Sequence, residues 1–264
     1  MTVPGDDCRV CGAGCRSLWS ATLLQRQVRY FECDRCGYLQ TEPPTWLDEA
    51  YSVSINHSDT GILARNQECA ERVLVTLWLM GGLDQRVVDV AGGYGILVRL
   101  LRDAGVDAYW SDKYTQNLVA RGFEDPGGPS FLATSFEAFE HFVHPVDELR
   151  QLLDRAGSVL CSTQLAPRET PAAGDWWYYG LEHGQHVGFF RRETLAYLSA
   201  TLGVRVLSDG RAFHLFTRAR TSELLWRQAM RHRRLLLRLA RSRLVSRTQS
   251  DHEALARSPG PTAP

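Results

Sequence analysis

A chain of 264 residues with 44% hydrophobic and 23% charged composition can bury one substantial core and still carry a small appendage. No run approaches the ~18 to 20 apolar residues that a membrane span needs, and the first seven residues lack a signal-peptide pattern, so the expectation is a cytoplasmic protein. The net charge of zero hides an asymmetry: Arg218 to Arg247 holds ten arginines against one acid, Glu223, which makes it +9 and the remainder −9, so the body has no general attraction for polyanions and any basic partner surface lies near the C-terminus.

The first feature along the chain is a pair of cysteine motifs, Cys8-x-x-Cys11 and Cys33-x-x-Cys36, each followed by glycine. Two such pairs are spaced to converge tetrahedrally on one zinc ion, and a four-thiolate site is coordinatively closed, so its role is structural. Cys15 is a possible substitute ligand, whereas Cys69 and Cys161 read as small buried residues. Thr41-Glu-Pro-Pro-Thr45 is a stiff linker that places a boundary near Glu42. From Trp46 to Leu83 the apolar spacing is mostly helical, stopped by Gly81-Gly82. Within it, Tyr51 and the stretch Asp59 to Asn66 are candidates to fold over a pocket.

A β/α alternation follows. The pattern predicts strand Arg86–Ala91, helix Ile96–Ala104, strand Asp107–Ser111, strand Phe131–Ser135, helix Val146–Arg155 and strand Ser158–Gln164. Helix Arg192–Leu202 and strands Val204–Ser208 and Phe213–Thr217 complete it. That order specifies an α/β protein with a doubly wound, mostly parallel sheet, Rossmann-like, with an antiparallel hairpin at its end. Val87-Val-Asp-Val-Ala-Gly-Gly-Tyr-Gly95 is a strand running into a glycine turn and then a helix. Gly92, Gly93 and Gly95 allow close backbone approach to a ligand, Asp89 lies near the strand's end, and Asp112 ends the next strand where an acid accepts ribose hydroxyls. Val98 stands where a dinucleotide fingerprint requires a small residue, which disfavours nicotinamide and flavin cofactors.

In a sheet of this kind the loops after Ala91, Asp112, Ser135 and Gln164 are expected to line one pocket. Glu137, Glu140 and His141 follow the third strand. Trp176-Trp-Tyr-Tyr-Gly-Leu-Glu-His-Gly-Gln-His186 combines four aromatics, walls for stacking a sugar, with Glu182, His183 and His186, groups able to take a proton. His183 is the expected base with Glu182 orienting it, His186 in reserve and His141 as competitor. Near the C-terminus, residues 222–247 read as one amphipathic basic helix. Leu225, Ala229, Leu236 and Ala240 share a face, with Arg227, Arg231, Arg234, Arg238 and Arg241 opposite. Such a helix docks on its own domain, on a partner enzyme or on a membrane surface. Ser258 to Pro264 has the composition of a disordered tail.

The glycine turn resembles motif I of class I methyltransferases. Together with Cys8, Cys11, Cys33 and Cys36, the Phe136-Glu-Ala-Phe-Glu-His141 segment and the Glu182-His183 pair, it is similar to a family that includes zinc-containing sugar C-methyltransferases. That resemblance implies S-adenosylmethionine as cofactor, with Asp89 near the methionine moiety, Asp112 at the ribose, Glu137 also in the cofactor site and Arg65 as partner of the methionine carboxylate. It also implies structural zinc and a sugar-linked acceptor. Only about eighteen residues separate Asp112 from Phe131, too few for the family's usual third strand and helix. The implied organisation is a zinc knuckle over 1–42, a helical linker or lid over 43–85, a methyltransferase domain over 86–217, and the basic helix and tail over 218–264. RNA methylation is a weaker alternative, since no Asn-Pro-Pro-Tyr type motif occurs and the arginines are not interleaved with the knuckle's aromatics. A non-catalytic interaction module is a second alternative.

Overall fold

The computed structural model describes residues 7–51 and 59–257. In chain order its elements are strands β1 (Arg16–Leu23), β2 (Arg26–Glu32) and β3 (Leu39–Thr41), then helices α1 (Leu47–Ala50) and α2 (Ile62–Met80). There follow β4 (Arg86–Val90), α3 (Ile96–Asp103), β5 (Asp107–Ser111), β6 (Leu132–Ser135), α4 (Pro145–Arg155), β7 (Ser158–Ser162) and the short β8 (Gly188–Phe189). The last are α5 (Arg192–Thr201), β9 (Arg205–Ser208), β10 (Phe213–Thr217), α6 (Glu223–Arg231), α7 (Arg233–Arg241) and α8 (Thr248–Arg257). The expected tail, 258–264, lies outside the described residues, as does 52–58 of the expected helical stretch. The α/β architecture is observed: one sheet has the strand order β5-β4-β6-β7-β10-β9, the other β1-β2-β3-β8.

The chain divides into two compact units, Met1–Ser58 with Ser135–Ala219 and Asp59–Thr134 with Arg220–Pro264. In the first, β1 and β2 form an antiparallel hairpin closed by Leu23 opposite Arg26. Its two turn residues, Leu24 and Gln25, take φ of 47° and 62°, the left-handed pair that a two-residue hairpin turn of type I′ demands. The hairpin continues through β3, and Leu39 pairs with Phe189 of β8. Leu23, Tyr30, Trp46, Trp176, Tyr179 and Phe189 fill one apolar cluster on this sheet. Three of the four aromatics expected to wall an acceptor pocket are therefore core: Trp176, Tyr178 and Tyr179 are buried, and only Trp177, 75% exposed, is free. Also in this unit, β10 runs antiparallel to both β7 and β9, the hairpin expected from the sequence.

In the second unit β4 is flanked by β5 and β6, both parallel to it. Val87 and Val88 are fully buried, as a strand covered on both faces requires. Between Asp112 and Phe131 no helix or strand forms; a parallel bridge joins Trp110 to Glu124. The basic C-terminal segment departs from expectation. It is two helices, α6 and α7, that meet at His232, with α8 after them. Its buried face is Trp226, Ala229, Met230, Leu237 and Ala240, while Leu225 is 60% exposed. Trp226 donates through Nε1 to the Thr76 hydroxyl of α2 at 3.4 Å, and Arg233 pairs with Glu68 and Glu71 of the same helix at 3.2 Å. Helix α8 is fastened to α3 by Asp251, which accepts from Nε and Nη2 of Arg102 at 2.8 and 2.7 Å and from Arg99 at 2.8 Å.

Candidate functional site

The four cysteines converge. Gly12 N–H closes the first motif onto Cys8 O at 2.8 Å and Gly37 N–H the second onto Cys33 O at 2.9 Å, which turns each pair of thiols toward one point. Sγ of Cys8 lies 3.5 Å from that of Cys36, and Cys11 Sγ lies 3.4 Å from Cys33 Sγ. Both distances are far beyond an S–S bond of about 2.05 Å and close to the about 3.8 Å edge of a tetrahedron with 2.3 Å zinc–sulfur bonds. All four sulfurs lie within 4.8 Å of one another, and Cys15 is not among them. The donor set fits zinc.

At the end of β4 the chain enters the glycine turn through Ala91, whose φ of 61° is disfavoured by about 1–2 kcal/mol for a residue with a Cβ. A Cβ on Gly92 would come within 2.8 Å of the Trp110 ring and 2.9 Å of Asp89 Oδ2, and one on Gly95 within 2.7 Å of Asn117 Oδ1. These two glycines are therefore demanded by the protein's own side chains, a different reason from the ligand approach expected of them. Gly93 N–H donates to Asp112 Oδ2 at 2.9 Å, and the amides of Tyr114 and Thr115 donate to Oδ1 at 2.7 and 2.8 Å. Asp112 thus ties the glycine turn to the end of β5. Asp89 is 3% exposed and accepts from the Thr134 hydroxyl at 2.6 Å. Burial, with a smaller push from Asp112, raises its pKa to about 7 against the opposing effect of Thr134. Arg65 is ion-paired with Asp59.

In the other unit, Glu137 has a left-handed φ of 50° and is held by Ser162, whose hydroxyl accepts from its amide at 2.8 Å and donates to its carboxylate at 2.5 Å. The 3-10 turn Phe139–His141 then brings Glu140 and His141 against the loop that carries His183 and His186. Trp46 Nε1–H donates to Gly184 O at 2.8 Å and Gln185 to Ala50 O at 2.9 Å, fixing that loop. The rings of His141 and His186 are 5.0 Å apart, and those of His183 and His186 4.8 Å.

The hydrogen bonds set the tautomers. His186 Nδ1 is 2.6 Å from the Tyr178 carbonyl, which can only accept, so Nδ1 carries the proton and Nε2 a free lone pair. His183 Nδ1 accepts from the Gln185 amide at 3.1 Å, which places the neutral ring's proton on Nε2. His141 Nδ1 is 2.7 Å from the Tyr51 hydroxyl. Glu182, expected to orient His183, is exposed, and no hydrogen bond joins the two among the described residues. Glu140 is fully buried and neither carboxylate oxygen has a hydrogen-bond partner. Burial and then Glu137 raise its pKa to about 8, against the nearby Thr163 and Tyr178 hydroxyls. Burial lowers His186 to about 4 and, with His186 and His183 adding to it, takes His141 well below the ordinary histidine value, so both are neutral at pH 7. The sequence singled out Tyr51 and Glu140 as pocket candidates, but not the burial of Glu140 without a partner, the Tyr51–His141 contact or the tautomers of His183 and His186.

A family model described as a methyltransferase domain matches residues 63–209, more than half of the 264-residue chain. No curated protein matches the sequence. Among solved structures the chain is similar to a magnesium protoporphyrin IX methyltransferase from Synechocystis PCC 6803 with bound SAH, at 16% identity over 65% of this chain and 92% of that one, with a TM-score of 0.44. An O-methyltransferase family protein from Burkholderia thailandensis aligns at 15% identity over 61% and 58% with a TM-score of 0.43. A mitomycin 7-O-methyltransferase aligns at 17% over 59% and 54% with a TM-score of 0.39. The glycine turn, Asp112, Glu140 and the three histidines all lie inside the matched span, and the chain belongs to this methyltransferase-domain family.

Proposed function

We propose that the chain moves a methyl group from S-adenosylmethionine to a carbon or oxygen of a small hydroxylated acceptor, a nucleotide-linked sugar or related glycan intermediate, and that the four cysteines hold a structural zinc ion. The donor supplies an activated methyl on its sulfonium; the protein's task is to hold the partners and manage the acceptor's proton, contributions of about 7–11 kcal/mol and about 10²–10⁴ in rate. For the donor, the supporting observation is the β4 turn tied to Asp112. Oδ1 is saturated by two amides, but Oδ2 takes only one and keeps a lone pair for a ribose hydroxyl.

For the acceptor, the observation that carries the reading is the neutral cluster that Glu140 and His141 of the 3-10 turn form with His183 and His186, the two histidines lying in the loop that follows the exposed Trp177. An exposed indole face beside several hydrogen-bonding groups suits a sugar ring. Within the cluster the central part falls to His186, because its Nε2 lone pair is open, whereas His183 presents an N–H and serves as a donor to the acceptor's oxygen. The test is transfer of labelled methyl to a panel of nucleotide-linked deoxysugars with RNA as comparison. His186→Ala is expected to lose at least 10²-fold in kcat with S-adenosylmethionine affinity retained, and His183→Ala to lose less; labelling of RNA alone refutes the acceptor class.

A further inference from the structure

We propose that Glu140, His141 and His186 form a divalent-cation site, distinct from the four-cysteine site. One ligand atom from each of the three residues lies within 4.8 Å of the others, and Glu140 Oε1 is 4.0 Å from His141 Nε2. At that separation no hydrogen bond joins them. What faces inward is a set of acceptors: the Nε2 lone pair of His186, fixed by its Nδ1–H donation to Tyr178 O, and a carboxylate with no partner on either oxygen. His141 Nδ1 lies 2.7 Å from the Tyr51 hydroxyl, which accepts or donates according to the ring's tautomer; in the Nδ1–H form the ring's Nε2 is left as a lone pair. Were Glu140 ionised, these buried acceptors would face one another with no donor among them, and leaving such a carboxylate unpaired costs several kcal/mol.

A cation at the centre removes that cost. Two imidazoles, each braced by an oxygen at Nδ1, and one carboxylate are the ligand chemistry of zinc, iron(II), cobalt(II) or manganese(II), with positions left open for substrate oxygen. Bonds of about 2.1 Å put neighbouring ligand atoms about 3–3.5 Å apart, so the three side chains close by about 1 Å around the ion. The donor set also separates this site from the knuckle, since thiolates select zinc and exclude manganese, while imidazole and carboxylate accept it. The open positions would take a pair of acceptor oxygens. That role, though not the binding, rests on the function proposed above.

The full chain, with zinc on its cysteines, is titrated with manganese(II) while free ion is followed by electron paramagnetic resonance. One manganese per chain is expected to bind and to raise the melting temperature, and both effects are expected to fall at least tenfold in affinity in Glu140→Gln and in His186→Gln. Zinc content of the two variants at one ion per chain certifies that the fold survives. Wild-type protein that binds no manganese, cobalt or second zinc overturns the site, as does undiminished binding in both variants. If the metal-free wild type turns over at the full rate while His186→Gln is inactive, the cation's part in the reaction is refuted, the cluster acts directly on the proton, and the methyltransferase reading stands. Loss of that reading would show instead as failure to bind S-adenosylmethionine.

Discussion

Replacing Asp112 by alanine probes the proposed donor site and the glycine turn that it ties down at once. The carboxylate accepts from Gly93, Tyr114 and Thr115 amides, leaving one direction on Oδ2 for a ligand hydroxyl. Ribose is therefore expected to contribute one charge-assisted hydrogen bond here rather than the two expected from sequence. Such a bond is worth about 1.5–3 kcal/mol, so Asp112→Ala weakens S-adenosylmethionine by about 10- to 150-fold. The three amides also lose their acceptor, so the variant melts lower than wild type before any ligand is added. Asp112→Asn separates the two contributions. Its carbonyl can still accept from Tyr114 and Thr115, but its amide faces the Gly93 N–H donor to donor, so stability recovers in part while affinity does not. The assay is isothermal calorimetry with S-adenosylmethionine, paired with thermal melting in its absence. Affinity within twofold of wild type for Asp112→Ala removes this residue from the donor site.

Cys33→Ser is expected to lower zinc from one ion per chain and to destabilise the unit of β1–β3, because metal binding to a flap this small is folding free energy; elemental analysis that finds no metal in chelator-free wild type ends the zinc assignment. Trp226→Ala empties a fully buried site between α6 and α2 and should cost about 3–5 kcal/mol by urea unfolding, whereas a loss under 1 kcal/mol would mean that the C-terminal helices do not dock as described. Buried His214, bonded to Ser208 and Thr163 O, is pushed down to about 4 by burial. Its neutral form is favoured in the folded state, so it contributes stability above about pH 6.5 that is lost as pH falls toward 4, by up to about 3 kcal/mol. His214→Gln should flatten that limb of the urea midpoint against pH, and an unchanged slope refutes the assignment.

The β/α alternation was legible because its strands are short apolar runs between clear stops; Asp107–Ser111 and Phe213–Thr217 were placed with the observed ends. The sheet around the cysteines was not. Its hairpin turns on Leu24-Gln25, residues that take left-handed φ here without the Asn or Gly that usually announces such a turn. Its last strand, β8, joins Leu39 from 150 positions downstream, a pairing that no local pattern encodes. The break at His232 likewise carries no proline or glycine. At the site, residue types were readable and geometry was not. The cysteine set and the glycine turn announce themselves by spacing, but the proton on each histidine depends on which distant oxygen or amide faces it. Tyr51 meets His141 across 90 residues, and nothing in Phe-Glu-His states that Glu140 is buried without a partner.

The clasp of Arg102 by Asp251 bears on how the protein is made. The helix that follows the glycine turn is secured by a residue 149 positions later, and the unit containing both is interrupted by residues 135–219. During synthesis at about 5–20 residues per second, the half of that unit ending at Thr134 must wait about 6–25 s for α8 to leave the ribosome. Over that interval the face of α2 that Trp226 will cover has no covering helix. Nascent chains stalled before residue 226 should therefore recruit holdase chaperones, and chains released after residue 257 should not, so that premature termination in the arginine-rich segment yields aggregation rather than a shortened enzyme.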